Sequence, residues 1–184
     1  MAQPYEQMDA IAMLKADHRK VEEIFAAFEK ATSRSKKQQL AEQACLELKV
    51  HTVLEEEIFY PACNGQIEED LLKEAYVEHD SAKQLINEIE AGGPDDDFYD
   101  AKVKVLSEMI EHHVKEEEMR SEGMFSQARD AGLDMDALAD AMRARKATAM
   151  EEFQAGKPAE PLTLREKNGG EEPSLDEVAP TPAV

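Results

Sequence analysis

Five histidines are spread over the first two-thirds of this 184-residue sequence, and a glutamate follows most of them by four residues. Two such pairs are His51 with Glu55, in the stretch HTVLE, and His113 with Glu117, in the stretch HVKEE. A step of four residues turns an α-helix by about 400°, so both members of each pair lie on one helix face. Imidazole nitrogens and carboxylate oxygens are ligands of iron, zinc and manganese. The spacing therefore indicates the chemistry of a metal site.

An isolated pair of this kind is more typical of a solvated contact on a helix surface. Here His51 and Glu55 share their helix stripe with Leu48 and Ile58, which places them on the side that faces a core. A buried carboxylate is costly unless it pairs with a cation. We therefore interpret this pair as metal-ligating.

The second pair has two registers, because His112 and His113 are adjacent. At about 100° per residue, the apolar residues of that helix cluster on the side of His113, and His112 lies nearer the flank. We predict that His113 and Glu117 face the core, and that His112 and Glu116 do not.

Hydrophobic periodicity predicts the helices that must position these pairs, over residues 8–30, 36–60, 67–90 and 96–118. Pro61 and the Asn-Gly step after it are predicted to end the second helix, and the Asp run after Gly93 to start the fourth. Similar lengths and short connections predict an all-α, up-down-up-down four-helix bundle. Each helix carries one histidine in line with its apolar face, and these are His18, His51, His79 and His113.

The rest of the chain differs in composition from the bundle. We assign residues 1–130 to the bundle and residues 131–155 to an additional helix capped by Asp134. Residues 156–184 are rich in proline and poor in large apolar residues, so we predict a disordered tail.

Composition narrows the classes of partner. A formal net charge of −20 disfavours binding to nucleic acid or to an anionic membrane, because both require Lys and Arg to neutralise phosphates. We see no apolar run of membrane-spanning length and no signal peptide. Two cysteines do not make a disulfide framework, so we expect a reducing, cytoplasmic setting.

Four motifs in order, ADH, HTVLEEEIFYP, EHDSAK and HHVKEEE, resemble the hemerythrin-like HHE cation-binding domain over about residues 8–130. The resemblance implies a four-helix bundle around a non-haem di-iron centre that meets dioxygen, nitric oxide or peroxide. By position it implies terminal ligands from the histidines and bridging carboxylates from the glutamates. These residues are His18, His51, His79, His113, Glu55 and Glu117.

The sequence departs from the oxygen-carrying hemerythrins, which have five histidine ligands, two of them four residues apart on the third helix. Around His79 the positions at that spacing are Ala75 and Lys83, so one imidazole is missing. This argues against simple reversible oxygen carriage and leaves a position for water, for Glu56 or for an oxidant. The second motif also lacks the proline that usually follows its glutamates, and MRSEGMFSQ stands there instead.

Other interpretations stay open at this point. The protein could be a metal-responsive sensor whose fifth helix or tail contacts a protein partner, or a helical protein with a structural zinc site; manganese is a further alternative. Asp17 and Asp80 are candidate acceptors for ligand histidines on other helices. Tyr60 and Tyr76 are candidate redox neighbours, although packing in the core is the better explanation for both.

Overall fold

The computed structural model describes residue 5 and residues 7–163, and every regular element in these residues is helical. In chain order the elements are α1 (Ala10–Lys30), α2 (Arg34–Leu54), a π-helical turn (Glu55–Phe59), α3 (Tyr60–Cys63), α4 (Glu69–Gly92), α5 (Tyr99–Glu118), α6 (Met124–Asp130) and α7 (Met135–Gln154). The predicted all-α class is confirmed. Within the described ranges, no helix combines the length and the apolar character needed to cross a membrane.

Three helices begin at side-chain caps that the sequence supplies. Asp9, Ser33 and Asp134 each accept a hydrogen bond from the backbone N–H three residues later, at 2.8, 3.2 and 3.0 Å. These caps satisfy N–H groups that have no partner within the helix. The predicted cap of the fifth long helix, at Asp134, is confirmed.

The fourth long helix begins three residues later than the sequence predicted, at Tyr99 and not at Asp96. The Asp96 side chain accepts a hydrogen bond from the Phe98 N–H at 2.8 Å. An aspartate that binds the backbone two residues further on stabilises a turn, and this turn competes with the helix.

The second long helix changes its winding at Glu55. The Tyr60 N–H donates to the carbonyl of Glu55, five residues earlier, and the helix then continues as far as Cys63. Our prediction that Pro61 ends this helix is wrong. A proline ring normally clashes with the carbonyl four residues before it, and the wider π turn relieves this clash.

The π turn also changes which residues share a helix face. In an α-helix, Tyr60 would lie about 140° around the axis from Glu55. A π turn holds roughly one more residue, so the same five steps leave the two side chains only about 40° apart. The turn therefore brings Tyr60 to the face that carries Glu55.

The four long helical segments enclose an apolar interior in which α1 packs on α2, and α4 packs on α5. This interior is divided into two groups of buried side chains. The first core cluster includes Leu14, Leu54, Phe59, Tyr60, Tyr76, Met124 and Phe125. The second core cluster includes Val21, Leu48, Ile86, Leu106, Ile110 and Val114. On α1, α2 and α4 the inward histidine lies in sequence between residues of the two clusters, whereas on α5 His113 lies between Ile110 and Val114 of the second cluster.

Helix α7 lies against α1 and α2 and contacts them through apolar and charged groups. Lys146 Nζ on α7 donates to the carboxylate of Asp17 on α1. Arg145 forms two hydrogen bonds with Glu57, at 2.6 and 3.1 Å. The additional helix is thus fixed to the bundle at residues one position away from His18 and two positions from Glu55.

Residues 157–163, which we call the C-terminal strap, run along α4. The Asn87 side chain donates to the carbonyl of Ala159 at 2.7 Å, and the N–H groups of Leu162 and Thr163 donate to Asp80. The strap falls in the segment predicted to be a disordered tail, and it differs from that prediction because Asn87 and Asp80 bind its backbone. Residues 164–184 lie outside the described residues, and the domain division stays a prediction.

The connection between α5 and α6 passes close to the end of α5. A Cβ atom on Gly123 would lie 2.6 Å from the carbonyl oxygens of Glu117 and Met119. These are backbone atoms, which cannot rotate away. The glycine thus allows the tight return that follows the helix end, in the stretch where the sequence lacks the expected proline.

We expect Gly123→Ala to lower the free energy of unfolding by about 2–3 kcal/mol, as an overpacked site does. Chemical denaturation of the metal-free protein measures this. The matched control is Gly65→Ala, where φ is 71° and no atom lies within 4 Å of the added Cβ. That change should cost about 1 kcal/mol, from the left-handed backbone alone. Equal losses in the two variants would contradict the steric explanation.

Candidate metal centre

Four histidines, one from each long helix of the bundle, meet in a layer between the two core clusters. They are His18 on α1, His51 on α2, His79 on α4 and His113 on α5, and each is 4% exposed or less. The predicted orientation of the fourth helix is confirmed, because the His113 side chain is 4% exposed and that of His112 is 60% exposed.

The imidazoles form two pairs that face each other through their Nε2 atoms. The Nε2 atoms of His18 and His51 are 3.0 Å apart, and those of His79 and His113 are 3.1 Å apart. Two ligand atoms that bind one metal ion at about 2.1 Å, with a right angle between the bonds, are separated by roughly 3 Å. Each pair therefore has the spacing of two ligands on one ion.

Two buried carboxylates lie between the imidazole pairs. One oxygen of Glu55 is 3.1 Å from His51 Nε2 and 3.2 Å from His79 Nε2. One oxygen of Glu117 is 3.3 Å from His18 Nε2 and 3.6 Å from His113 Nε2. Because each carboxylate contacts one histidine of each pair, both stand where a carboxylate that bridges two ions would stand.

Three of the four imidazoles contact a carboxylate at hydrogen-bond distance with their other nitrogen, Nδ1, and the Nδ1 of His51 lies beyond that distance from its nearest carboxylate. The contacts are His18 with Glu118 at 2.8 Å, His79 with Glu56 at 3.0 Å, His113 with Glu78 at 2.7 Å and, at a longer 3.8 Å, His51 with Asp17. A carboxylate on one ring nitrogen holds the proton there and directs the lone pair of the other nitrogen inward. This is the usual environment of a metal-binding histidine.

The electrostatics of the metal-free centre are those of a tight cluster of imidazolium and carboxylate groups. Burial lowers the pKa of His51, but the charges of Glu55 and Asp17 outweigh burial and raise it to about 10. Burial likewise opposes the ionisation of Glu55, and His51 outweighs it, so that the pKa of Glu55 falls well below its usual value. A metal ion would take the place of these protons, because it binds neutral imidazole.

The donor atoms fit a pair of metal ions. Ligand atoms of His18, His51, Glu55 and Glu117 all lie within 4.8 Å of one another, as do those of Glu55, His79 and His113. Within the part of the chain that the structure describes, Glu55 Oε1 is buried without a hydrogen-bond partner, and Glu117 Oε2 is buried with only its ion-pair contacts to His18 and His113. Buried carboxylate oxygens without partners are costly, and coordination of a cation removes that cost.

A cavity of about 10 Å³ lies beside the imidazoles. This volume is close to that of one water molecule. All four histidines border it, and the apolar side chains around it are Val21, Leu48, Ile110 and Val114, from the second core cluster.

Tyr60 reaches the same centre from the first core cluster. Its hydroxyl lies 3.1 Å from His79 Nε2, 3.2 Å from Glu117 Oε1 and 3.5 Å from Glu55 Oε2. The side chain is fully buried. Burial, together with the charges of these glutamates, raises the pKa of Tyr60 well above its usual value in the metal-free protein.

All six residues predicted as ligands meet in this centre, and whether they bind metal stays a prediction. Asp17 faces a histidine of another helix, as we proposed. Asp80 does not, because it binds the C-terminal strap and Lys83. Glu56 was a candidate for the open ligand position, but its carboxylate contacts His79 Nδ1 and Lys83 on the outer side of the ring.

Sequence reasoning missed the outer carboxylates Glu78 and Glu118. Each is adjacent in sequence to a predicted ligand, so each points to a different side of its own helix. Their partners are histidines on neighbouring helices. The only signal in the sequence was an acidic residue next to a predicted ligand. Its histidine partner cannot be identified until the packing of the neighbouring helix is known.

A bundle of four long helices with a buried layer of histidines and carboxylates defines a class of metal-binding helical proteins. Comparisons with known proteins agree with this class, since the hemerythrin HHE cation binding domain matches residues 9–125. The chain therefore belongs to the hemerythrin HHE cation-binding family, and it carries that family's metal cation-binding domain.

A solved structure and a curated protein are also similar to this chain. The crystal structure of a hemerythrin HHE cation binding domain-containing protein from Mycobacterium kansasii matches with a TM-score of 0.66 and 18% identity, over 81% of this chain and 91% of that one. A DNA nickase from Nostoc sp. is 27% identical over 113 residues. That match covers 61% of this chain but 32% of the nickase, so this chain spans about a third of the length of that relative.

We expect Glu78→Ala to weaken metal binding about 10–100-fold, because removing an outer carboxylate frees the ring of His113 and lowers its basicity. Competition with a chelator of known affinity measures the change. Glu116→Ala is the control, since Glu116 contacts the exposed His112, at 3.3 Å, and no histidine of the centre. Similar losses in both variants would show that general negative charge, and not the contact with His113, supports binding.

Proposed function

We propose that this protein holds two iron ions in the buried centre and uses them to bind, sense or reduce a small oxidant, namely dioxygen, nitric oxide or peroxide. The observation that carries the proposal is that two imidazole pairs share two carboxylates. One ion would bind His18 and His51, and the other would bind His79 and His113. Glu55 and Glu117 contact both pairs and would bridge the ions.

The donor set supports two ions over a single zinc. A structural zinc site is closed by four ligands in a tetrahedron, and the six residues of this centre exceed that number. Mixed imidazole and carboxylate ligands suit iron, and they also accept manganese or a zinc pair. The choice of iron rests on the family, so metal analysis comes first among the experiments.

The residues around the ions would control access and orientation. Outer carboxylates would hold the imidazole rings, and the cavity, at about 10 Å³, would receive a molecule about the size of water. When bound, the irons would supply the electrons for binding or reducing an oxidant. The buried free thiols of Cys45 and Cys63 agree with the reducing, cytoplasmic setting that we propose.

We restrict the proposed ligands to small molecules. The Nostoc relative is named a DNA nickase, but two-thirds of that protein lies outside the match. A net charge of −20 also opposes contact with DNA phosphates. A protein partner at α7 or at the tail remains part of the proposal, since charged groups of α7 are exposed to solvent.

Metal content and the visible spectrum in air test the proposal. We expect about two irons per chain, with absorption from an oxo-bridged ferric pair, in protein purified without added metal. Glu55→Ala and His113→Ala should lose metal and thermal stability together, because each leaves charged groups buried without a partner. His112→Ala is the matched control and should keep both. A colourless zinc protein, or little iron after reconstitution under reducing conditions, would contradict the proposal.

A second candidate, a metal-responsive sensor, is favoured by the contacts of the C-terminal part. The strap binds Asp80, which contacts Lys83; Lys83 in turn binds Glu56, whose carboxylate contacts His79 Nδ1. A change of metal state at His79 could thus alter how the strap lies on α4.

Turnover separates the two candidates. A sensor should show changed hydrogen exchange in α7 and the strap upon metal removal, with peroxide or nitric oxide consumed no more than once per centre. An enzyme should consume either molecule repeatedly. The variant Lys83→Met should break the connection to the strap and abolish the exchange response, while Lys73→Met, on the exposed side of α4, should leave it intact.

A further inference from the structure

The hydroxyl of Tyr60 stands among the ligand atoms of the second imidazole pair, at the centre where one imidazole is missing. We propose that Tyr60 is a metal ligand, and that its phenolate oxygen binds the ion held by His79 and His113. This inference deepens the proposed function and rests on it, because it requires iron in the centre.

The distances around the hydroxyl are those of a coordination shell. Tyr60 Oη is 3.1 Å from His79 Nε2 and 3.2 Å from Glu117 Oε1, and His79 Nε2 is 3.1 Å from His113 Nε2. These separations match the roughly 3 Å between neighbouring ligands of one ion. The phenol oxygen thus completes the set around this ion in the same way as the imidazoles do.

The backbone places the hydroxyl there. The π turn over Glu55–Phe59 rotates Tyr60 onto the face of Glu55, whereas a continuous α-helix would turn it away. π turns within α-helices are frequent at functional sites. Because Glu55 is itself predicted to bridge the ions, the turn gives two ligands to the centre from residues five positions apart.

The other protein side chain considered for the open ligand position makes its contacts outside the centre. Glu56 contacts His79 Nδ1 and Lys83, on the outer side of the ring. The cavity beside the centre is bordered by the four histidines and by apolar residues of the second core cluster, and Tyr60 is not among the residues that line it. Tyr60 therefore stands apart from the cavity that would receive an oxidant, and this favours a ligand over a hydrogen-bond donor to the oxidant.

Tyr76 shows how a tyrosine with only a packing role looks in this core. Its ring centroid is 5.2 Å from that of Tyr60, and it is buried to a similar degree. Its hydroxyl has no hydrogen-bond partner among the described residues. Tyr60, by contrast, places its hydroxyl within 3.5 Å of three buried polar atoms, two carboxylate oxygens and one imidazole nitrogen.

Coordination requires a simple exchange of a proton for a metal ion. The O–H bond of Tyr60 breaks, the oxygen binds the ferric ion, and the proton leaves to solvent, so no further oxidant or reductant takes part. Phenolate is a known ligand of ferric iron in proteins. It adds one negative charge beside the two carboxylates and so stabilises the ferric state.

The test is resonance Raman spectroscopy of the full-length protein, loaded with ferrous iron and oxidised in air, together with its iron content. We expect an iron–phenolate charge-transfer band whose ring vibrations shift when the protein is grown with ring-deuterated tyrosine. Tyr60→Phe should lose this band while keeping its helical circular dichroism and bound iron. Tyr76→Phe is the matched control and should keep the band.

The outcomes separate the inference from the proposed function. Two irons without phenolate vibrations in the wild type, or a band that survives Tyr60→Phe, would overturn the ligand assignment and leave the di-iron function standing. A protein that takes up no iron would overturn both. If Tyr60→Phe does not fold, the test rests on the isotope shift in the wild type and in Tyr76→Phe. Loss of the band in Tyr76→Phe would assign the phenolate to Tyr76 and overturn the inference.

Discussion

The burial of four imidazoles and two carboxylates in one layer is the constraint on which the rest of this structure depends. Groups of this kind are costly inside a protein unless opposite charges or metal ions compensate them. Each of the four bundle helices contributes one histidine to the layer, so these helices must align their centres. Apolar clusters on both sides keep water out, which strengthens the interactions within the layer and raises the penalty for any helix that slips.

The layer extends beyond the atoms that are predicted to bind metal. Outer carboxylates face the Nδ1 atoms, and one of them, Asp17, is bound in turn by a residue beyond the family match at 9–125. Lys146 on α7 binds Asp17, and the strap reaches Glu56 through Asp80 and Lys83. The C-terminal part of the chain is therefore built into the polar network of the centre, and the bundle alone is an incomplete description of the site.

Helical periodicity was sufficient for much of this arrangement. A constant turn of about 100° per residue selected His113 over His112, because that choice depends only on residues of one helix. The partners of the outer nitrogens could not be found in this way, since Glu78 and Glu118 act across helices. The π turn could not be predicted either, because the periodicity argument assumes a constant rotation per residue. Tyr60 therefore looked like a core residue until its position relative to Glu55 was known.

The π turn adds one residue to a long helix and thereby rotates the side chains that follow it about the helix axis. Residues before Glu55 keep their orientation toward the histidine layer, while those after it are turned by about one residue relative to a regular helix. A relative without the extra residue would present a different side chain to the histidine layer while keeping His51 and Glu55 in place. A gap of one position within this helix, in an alignment of relatives, would thus mark a change in the chemistry of the centre and not a disturbance of the fold.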